Sequence, residues 1–143
     1  MKRNIFLITL CLAVNHNVIA ADVEPDIKEG LWELTSTATM SGMPMEMPPM
    51  KTTSKECMSK KSAMDPRTLL KNQNCEITDM KIQSNNASWK MSCNQQGIKM
   101  TGDGNINYQH ESFNGVFNMN MQGEGGAMKI VTKTVGRYLG ACK

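Results

Sequence analysis

The chain has 143 residues, 40% of them hydrophobic and 20% charged, with a formal net charge of +3 at pH 7. This length suits one domain. Much of the positive charge lies at the N-terminus: without Lys2 and Arg3, the 16 basic residues become 14 against 13 acidic ones, or about +1. The remaining lysines are scattered rather than clustered, which argues against a nucleic-acid-binding domain.

The N-terminus reads as a secretory signal peptide over residues 1–20. Two basic residues are followed by an apolar run over residues 5–14, and small residues then allow cleavage between Ala20 and Ala21. A membrane span would need about 20 apolar residues. The segment therefore predicts export to the periplasm and a mature chain without a transmembrane segment.

A lipid anchor is the other interpretation of this N-terminus, because Cys11 lies inside the apolar run. Leu10 precedes it where a lipid-attachment site needs a small residue, so we prefer the signal peptide. Residues 21–143 then form a single β-rich domain.

Cleavage would leave four cysteines, an even number in an oxidising compartment, which predicts two disulfides. They are Cys57, Cys75, Cys93 and Cys142, and three pairings are open. Their spacings of 18, 18 and 49 residues do not resemble the compact ligand pairs of a zinc site.

A predicted hairpin affects which cysteines can form a disulfide. A two-residue turn at Asn85 and Asn86 would set Thr78 opposite Cys93. Cys75 would then lie three residues beyond that position, so a Cys75–Cys93 bridge needs a bulge or a register shift. We favour this bridge, with Cys57–Cys142 by elimination.

Four segments alternate apolar and polar residues with a period of two, which predicts half-buried strands. They cover residues 32–40, 87–93, 98–108 and 113–121, with turns at 84–86, 94–97, 109–111 and 123–126. Short connections between amphipathic strands favour an antiparallel meander that forms a strongly twisted sheet or a barrel.

Two glycines in a predicted strand and a proline in a predicted helix indicate local departures from regular structure. Gly102 and Gly104 both lie on the predicted inner face, which indicates a sharp bend or a close backbone approach. One short helix, of one or two turns, is predicted near residues 58–70, a segment interrupted by Pro66.

The segment Met40–Met50 reads MSGMPMEMPPM, and its three prolines exclude a regular helix or a central strand. Thioethers are soft, neutral ligands that suit Cu(I) or Ag(I). An extended chain would put Met43, Met45 and Met47 on one side. These three are the candidate metal ligands, and no other cofactor is expected.

The alternative is an apolar contact loop, because methionine adapts to irregular contact surfaces. Its candidate binding residues are Trp32, Met40, Met43, Met45, Met47 and Met50.

The sequence offers few candidate catalytic residues. His110, Glu111 and Ser112 are adjacent in sequence and cannot converge as a triad. We expect no enzyme.

Several short motifs occur in a fixed order along the chain. They are IKEGLWE at residues 27–33, the Met/Pro segment, Cys57, Asn74-Cys75, WKMSC at residues 89–93, and GRYLGAC at residues 136–142. In this order the chain resembles the exported bacterial family catalogued as domain of unknown function 3617. The resemblance covers nearly all of the predicted mature chain, with Glu29 where such proteins are expected to have proline. It implies an envelope location and disulfides, and no reaction or ligand.

The leading functional hypothesis is a non-catalytic periplasmic binding module. A row of predicted inward residues could line a groove for an apolar ligand or an envelope protein, whereas the sequence leaves the oligomeric state open. The row comprises Trp32, Trp89, Met91, Met100, Phe117, Met119 and Met121.

Overall fold

A computed structural model of the chain describes residues 23–45, 47–64, 75–95, 97–123 and 126–143. The fold is mainly β, as predicted. In chain order its elements are β1 (Gly30–Ser41), β2 (Met50–Met58), α1 (Lys60–Met64), β3 (Cys75–Gln83), β4 (Asn86–Gln95), β5 (Ile98–Gln109), β6 (Ser112–Gly123) and β7 (Gly126–Gly140).

All seven strands belong to one antiparallel sheet, in the order β2-β1-β7-β6-β5-β4-β3. Strands β3 to β7 form a meander, and the β1–β2 hairpin adds to it by pairing β1 with β7. The predicted meander is therefore confirmed. The sheet stays open, with β2 and β3 as its two edges, rather than closing into a barrel.

Large side chains on the inner face lie over glycines of the neighbouring strand. Trp89 on β4 is paired with Gly104 on β5, and its indole lies against the Gly104 backbone. Phe113 on β6 covers Gly136 on β7 in the same way. The close approach predicted at Gly104 is thus made by an indole ring.

The core lies at one end of the inner face, where aromatic rings meet. Trp32 is fully buried, with its ring centroid 5.5 Å from that of Phe113 and 5.8 Å from that of Tyr138. Tyr108 packs edge-on against Phe113 and donates a 2.9 Å hydrogen bond to the carbonyl oxygen of Ala63, in α1.

An N-terminal segment, residues 23–29, covers the end of the sheet where the aromatic core lies. Ile27 is 1% exposed and forms a parallel bridge with His110 in the β5–β6 turn. The Lys28 amide donates to the His110 carbonyl oxygen, and the Trp32 indole donates to the Lys28 carbonyl oxygen at 2.9 Å. The sequence of this segment has no pattern that predicts this role.

The predicted register of the β3–β4 hairpin is wrong, and two features explain the difference. The turn lies at Ser84 and Asn85, so Gln83 pairs with Asn86. A bulge follows, in which Asp79 and Met80 together face the single residue Trp89 of β4, and Asp79 adopts a positive φ of 51°.

The turn and the bulge together bring Cys75 opposite Cys93, and these two form a disulfide. The second disulfide joins Cys57, at the end of β2, to Cys142. These are the two pairs that the sequence favoured.

The predicted short helix is present and spans Lys60–Met64, whereas Met58 ends β2 and residues 65–70 lie outside the described part of the chain. The predicted signal peptide also lies outside it. No helix within the described ranges has the length and apolarity needed to cross a membrane.

Candidate binding surface

The inner face changes character away from the aromatic core. Toward the end where β1 and β6 stop and β7 begins, methionine replaces aromatic residues. We call this half the methionine face; it comprises Met40, Met91, Met100, Phe117, Met119, Met121, Met128 and Ile130. Apart from buried Met91, these side chains are half-buried.

One row of directly paired residues in this half consists entirely of sulfur-containing side chains. Met128 pairs with Met121, Met121 with Met100, Met100 with Cys93, and Cys93 with Cys75. We call these five residues the sulfur row. It crosses β7, β6, β5, β4 and β3 without interruption, because the registers between β4 and β7 contain no shift.

The next row toward the core links Met40, Ile130 and Met119, and then Gly102 and Met91. Gly102 leaves a gap that its neighbours fill: a Cβ built there would lie 3.2 Å from Met91 Cγ and 3.3 Å from Phe117 Cζ. The row is therefore packed toward β4 and more open toward β7 and β1.

The methionine face is uncharged, because every residue that defines it is apolar. Lys99 and Lys129 are each next in sequence to a methionine of the sulfur row, so the alternation of side chains along a strand puts them on the opposite, outer face of the sheet. A ligand on the methionine face would thus meet apolar side chains.

The Met/Pro segment is divided between three elements. Met40 belongs to β1 and Met50 to β2, and the loop between them covers residues 42–49. Gly42 is packed against the start of β7: a Cβ built on it would overlap the Ala127 carbonyl oxygen and lie 3.3 Å from Met128 Cα. The loop therefore begins beside the sulfur row.

The three candidate metal ligands of this loop do not share one environment. Residues 42–45 form bends rather than an extended chain, so alternation does not put Met43 and Met45 on one side. Met43 is half-buried, Met45 is 78% exposed, and Met47 is 44% exposed.

The remaining candidate binding residues also lie in different parts of the fold. Trp32 is fully buried in the aromatic core. Met40 lies on the methionine face. Met50 is 45% exposed on edge strand β2, opposite Ala38.

The polar residues of the β5–β6 turn bind the N-terminal segment. His110 Nδ1 lies 3.0 Å from Asp26 Oδ1. Lys28 Nζ donates to Glu111 Oε1 at 2.7 Å, and this hydrogen bond lowers the pKa of the Glu111 carboxyl and raises that of the Lys28 ammonium. Ser112 donates to Gln109, away from His110.

These polar groups hold the turn in place and do not converge on a common point. Within the ranges that the structure describes, no group of three or more His, Cys, Asp or Glu side chains could hold a metal ion.

A family model described as "Protein of unknown function (DUF3617)" matches residues 27–142. The chain belongs to this family. The match begins at Ile27, in the N-terminal segment, and ends at Cys142, so the DUF3617 region includes both disulfides and every strand of the sheet. Comparisons with curated proteins and with solved structures gave no match.

Sequence reasoning missed two members of the DUF3617 surface, Met128 and Ile130. Both lie on β7, where each face mixes apolar residues with threonine or lysine, so alternation is not visible. Their proximity to Met119 and Met121 follows only from the β6–β7 register.

Proposed function

We propose that this protein is an exported, non-catalytic binding module whose methionine face accepts one hydrocarbon chain, such as that of a long-chain fatty acid. The observation that carries the proposal is a continuous, uncharged, half-buried face at one end of an open sheet. An apolar face of this kind is typical of an interaction site.

The size and chemistry of the face support this class of ligand. Four strand spacings separate β1 from β4, a width of about 19 Å. Methionine is unbranched and polarizable, so it adapts to a flexible alkyl chain better than a rigid aromatic surface does.

Export is supported by the sequence of residues 1–20, which has the pattern of a signal peptide. Two disulfides are consistent with an oxidising compartment. The non-catalytic assignment is supported by the arrangement of His110 and Ser112, which contact different partners.

Titration with a dansyl-labelled long-chain fatty acid, followed by fluorescence, tests the proposal. Met119→Asp places a charge at the centre of the face and is expected to weaken binding by about tenfold or more. Val116→Asp is the matched control, because Val116 lies on the outer side of the same strand and is 39% exposed. Absence of saturable binding, or equal loss in both variants, would overturn the proposal.

A further inference from the structure

The sulfur row carries an inference beyond the binding of an apolar ligand. We propose that Met100, Met121 and Met128 form a site for Cu(I) or Ag(I). The three residues are direct partners on three adjacent strands, and their side chains share the inner face. This site lies in the sheet, not in the Met/Pro loop.

The register brings the three thioethers within reach of one ion. Directly opposed residues of antiparallel strands have Cβ atoms about 5 Å apart. Metal–sulfur bonds of about 2.3 Å put the sulfurs of a trigonal site about 4 Å apart. Met121 is the central residue, so Met100 and Met128 each need only lean toward it, and the flexible methionine side chain permits this movement.

The chemistry of the ligand set selects the ion. Three thioethers are neutral and soft, which suits a soft monovalent cation and does not suit Zn²⁺ or other borderline ions that prefer imidazole or thiolate. The next residue of the row is Cys93, whose sulfur is bonded to Cys75 and supplies no thiolate. The site therefore gains no negative charge from this cysteine.

The surroundings are open enough for an ion to enter. All three methionines are half-buried rather than enclosed. Met121 and Met128 also line a shallow surface depression, together with Ser41 and Gly42.

Competition with a colorimetric Cu(I) chelator tests the site, with ascorbate holding copper as Cu(I). The unaltered protein is expected to bind one Cu(I) per chain and no Zn²⁺. A variant with Met100, Met121 and Met128 all replaced by leucine is expected to lose affinity by about 100-fold or more, since weaker perturbations of metal sites already cost 10–100-fold.

The matched control carries leucine at Met43, Met45 and Met47, and its affinity should change by no more than about twofold. Leucine keeps the apolar character of the surface, so fatty-acid binding should survive in the sheet variant. The two proposals can thus fail separately. Unchanged Cu(I) affinity in the sheet variant, loss confined to the loop variant, or no Cu(I) binding by the unaltered protein would overturn the sheet site.

Discussion

The indole of Trp89 lies against the backbone of Gly104, its direct partner across β4 and β5. A Cβ at position 104 would overlap the ring, so this packing requires glycine. The same arrangement joins Phe113 to Gly136. Large rings lying flat on glycines let a single open sheet bury aromatic area without a second sheet above it.

Gly104→Ala is expected to destabilise the protein by about 1–3 kcal/mol, because the new methyl group must displace a buried indole. Gly123→Ala is the control: the nearest atom to its added Cβ is Ile98 Cγ1 at 3.5 Å, an ordinary contact. Urea denaturation followed by circular dichroism measures both. Equal stabilities of the two variants would show that the indole does not occupy this position.

The N-terminal segment makes its own contribution to stability. Ile27→Ala removes a side chain that is 1% exposed and is expected to cost about 2–4 kcal/mol. Val23→Ala, four residues earlier and 48% exposed, should change stability by no more than about 0.5 kcal/mol. Thermal unfolding of the two variants compares them, and a negligible effect of Ile27→Ala would mean that the segment does not seal the core.

The disulfide between Cys57 and Cys142 encloses a sequence separation of 85 residues. Loss of this link is expected to cost about 4–5 kcal/mol on the loop-entropy relation. Either Cys57→Ala or Cys142→Ala breaks the same bond, so the double variant should be no less stable than the single ones. Additive losses in denaturant unfolding would contradict the pairing.

Burial raises the pKa of Tyr108 to about 12. Its folded pKa thus exceeds the unfolded value of about 10. Ionisation therefore opposes folding: the stability contribution of Tyr108 is full below pH 10 and is lost as pH rises toward 12. Absorbance titration of a Tyr138→Phe variant, which keeps Tyr108 as its sole tyrosine, should give a midpoint near 12 when folded and near 10 in urea. A midpoint near 10 in the folded protein would contradict the burial.

The alternation of apolar and polar residues predicted the strands that have one solvent-exposed face, namely β1, β4, β5 and β6. It did not predict β2, which pairs with β1 through its backbone although all its residues but Met58 are exposed. An edge strand without an apolar side has no period of two to detect. The predicted β3–β4 register was wrong for two local reasons: the turn lies at Ser84 and Asn85, and the bulge at Asp79, which has a positive φ, adds one residue to β3.

The candidate surface was only partly visible in the sequence. The inward positions of Met91, Met100 and Met119 follow from alternation within each strand. The sulfur row does not, because it depends on the pairing register across each hairpin, such as Cys93 with Met100 and Met121 with Met128, and alternation within one strand does not fix that register. The density of methionine at residues 40–50 instead predicts a binding site in the loop.

The central claim is that the methionine face binds a ligand, and methionine methyl NMR tests it most directly. With [methyl-¹³C]methionine, a long-chain fatty acid should shift the signals of the face, namely Met40, Met100, Met119, Met121 and Met128. Met45, which is 78% exposed in the loop, and Met58, which packs at the aromatic end, should not move. Unperturbed face signals at saturating fatty acid, or shifts confined to Met45 and Met58, would contradict the account.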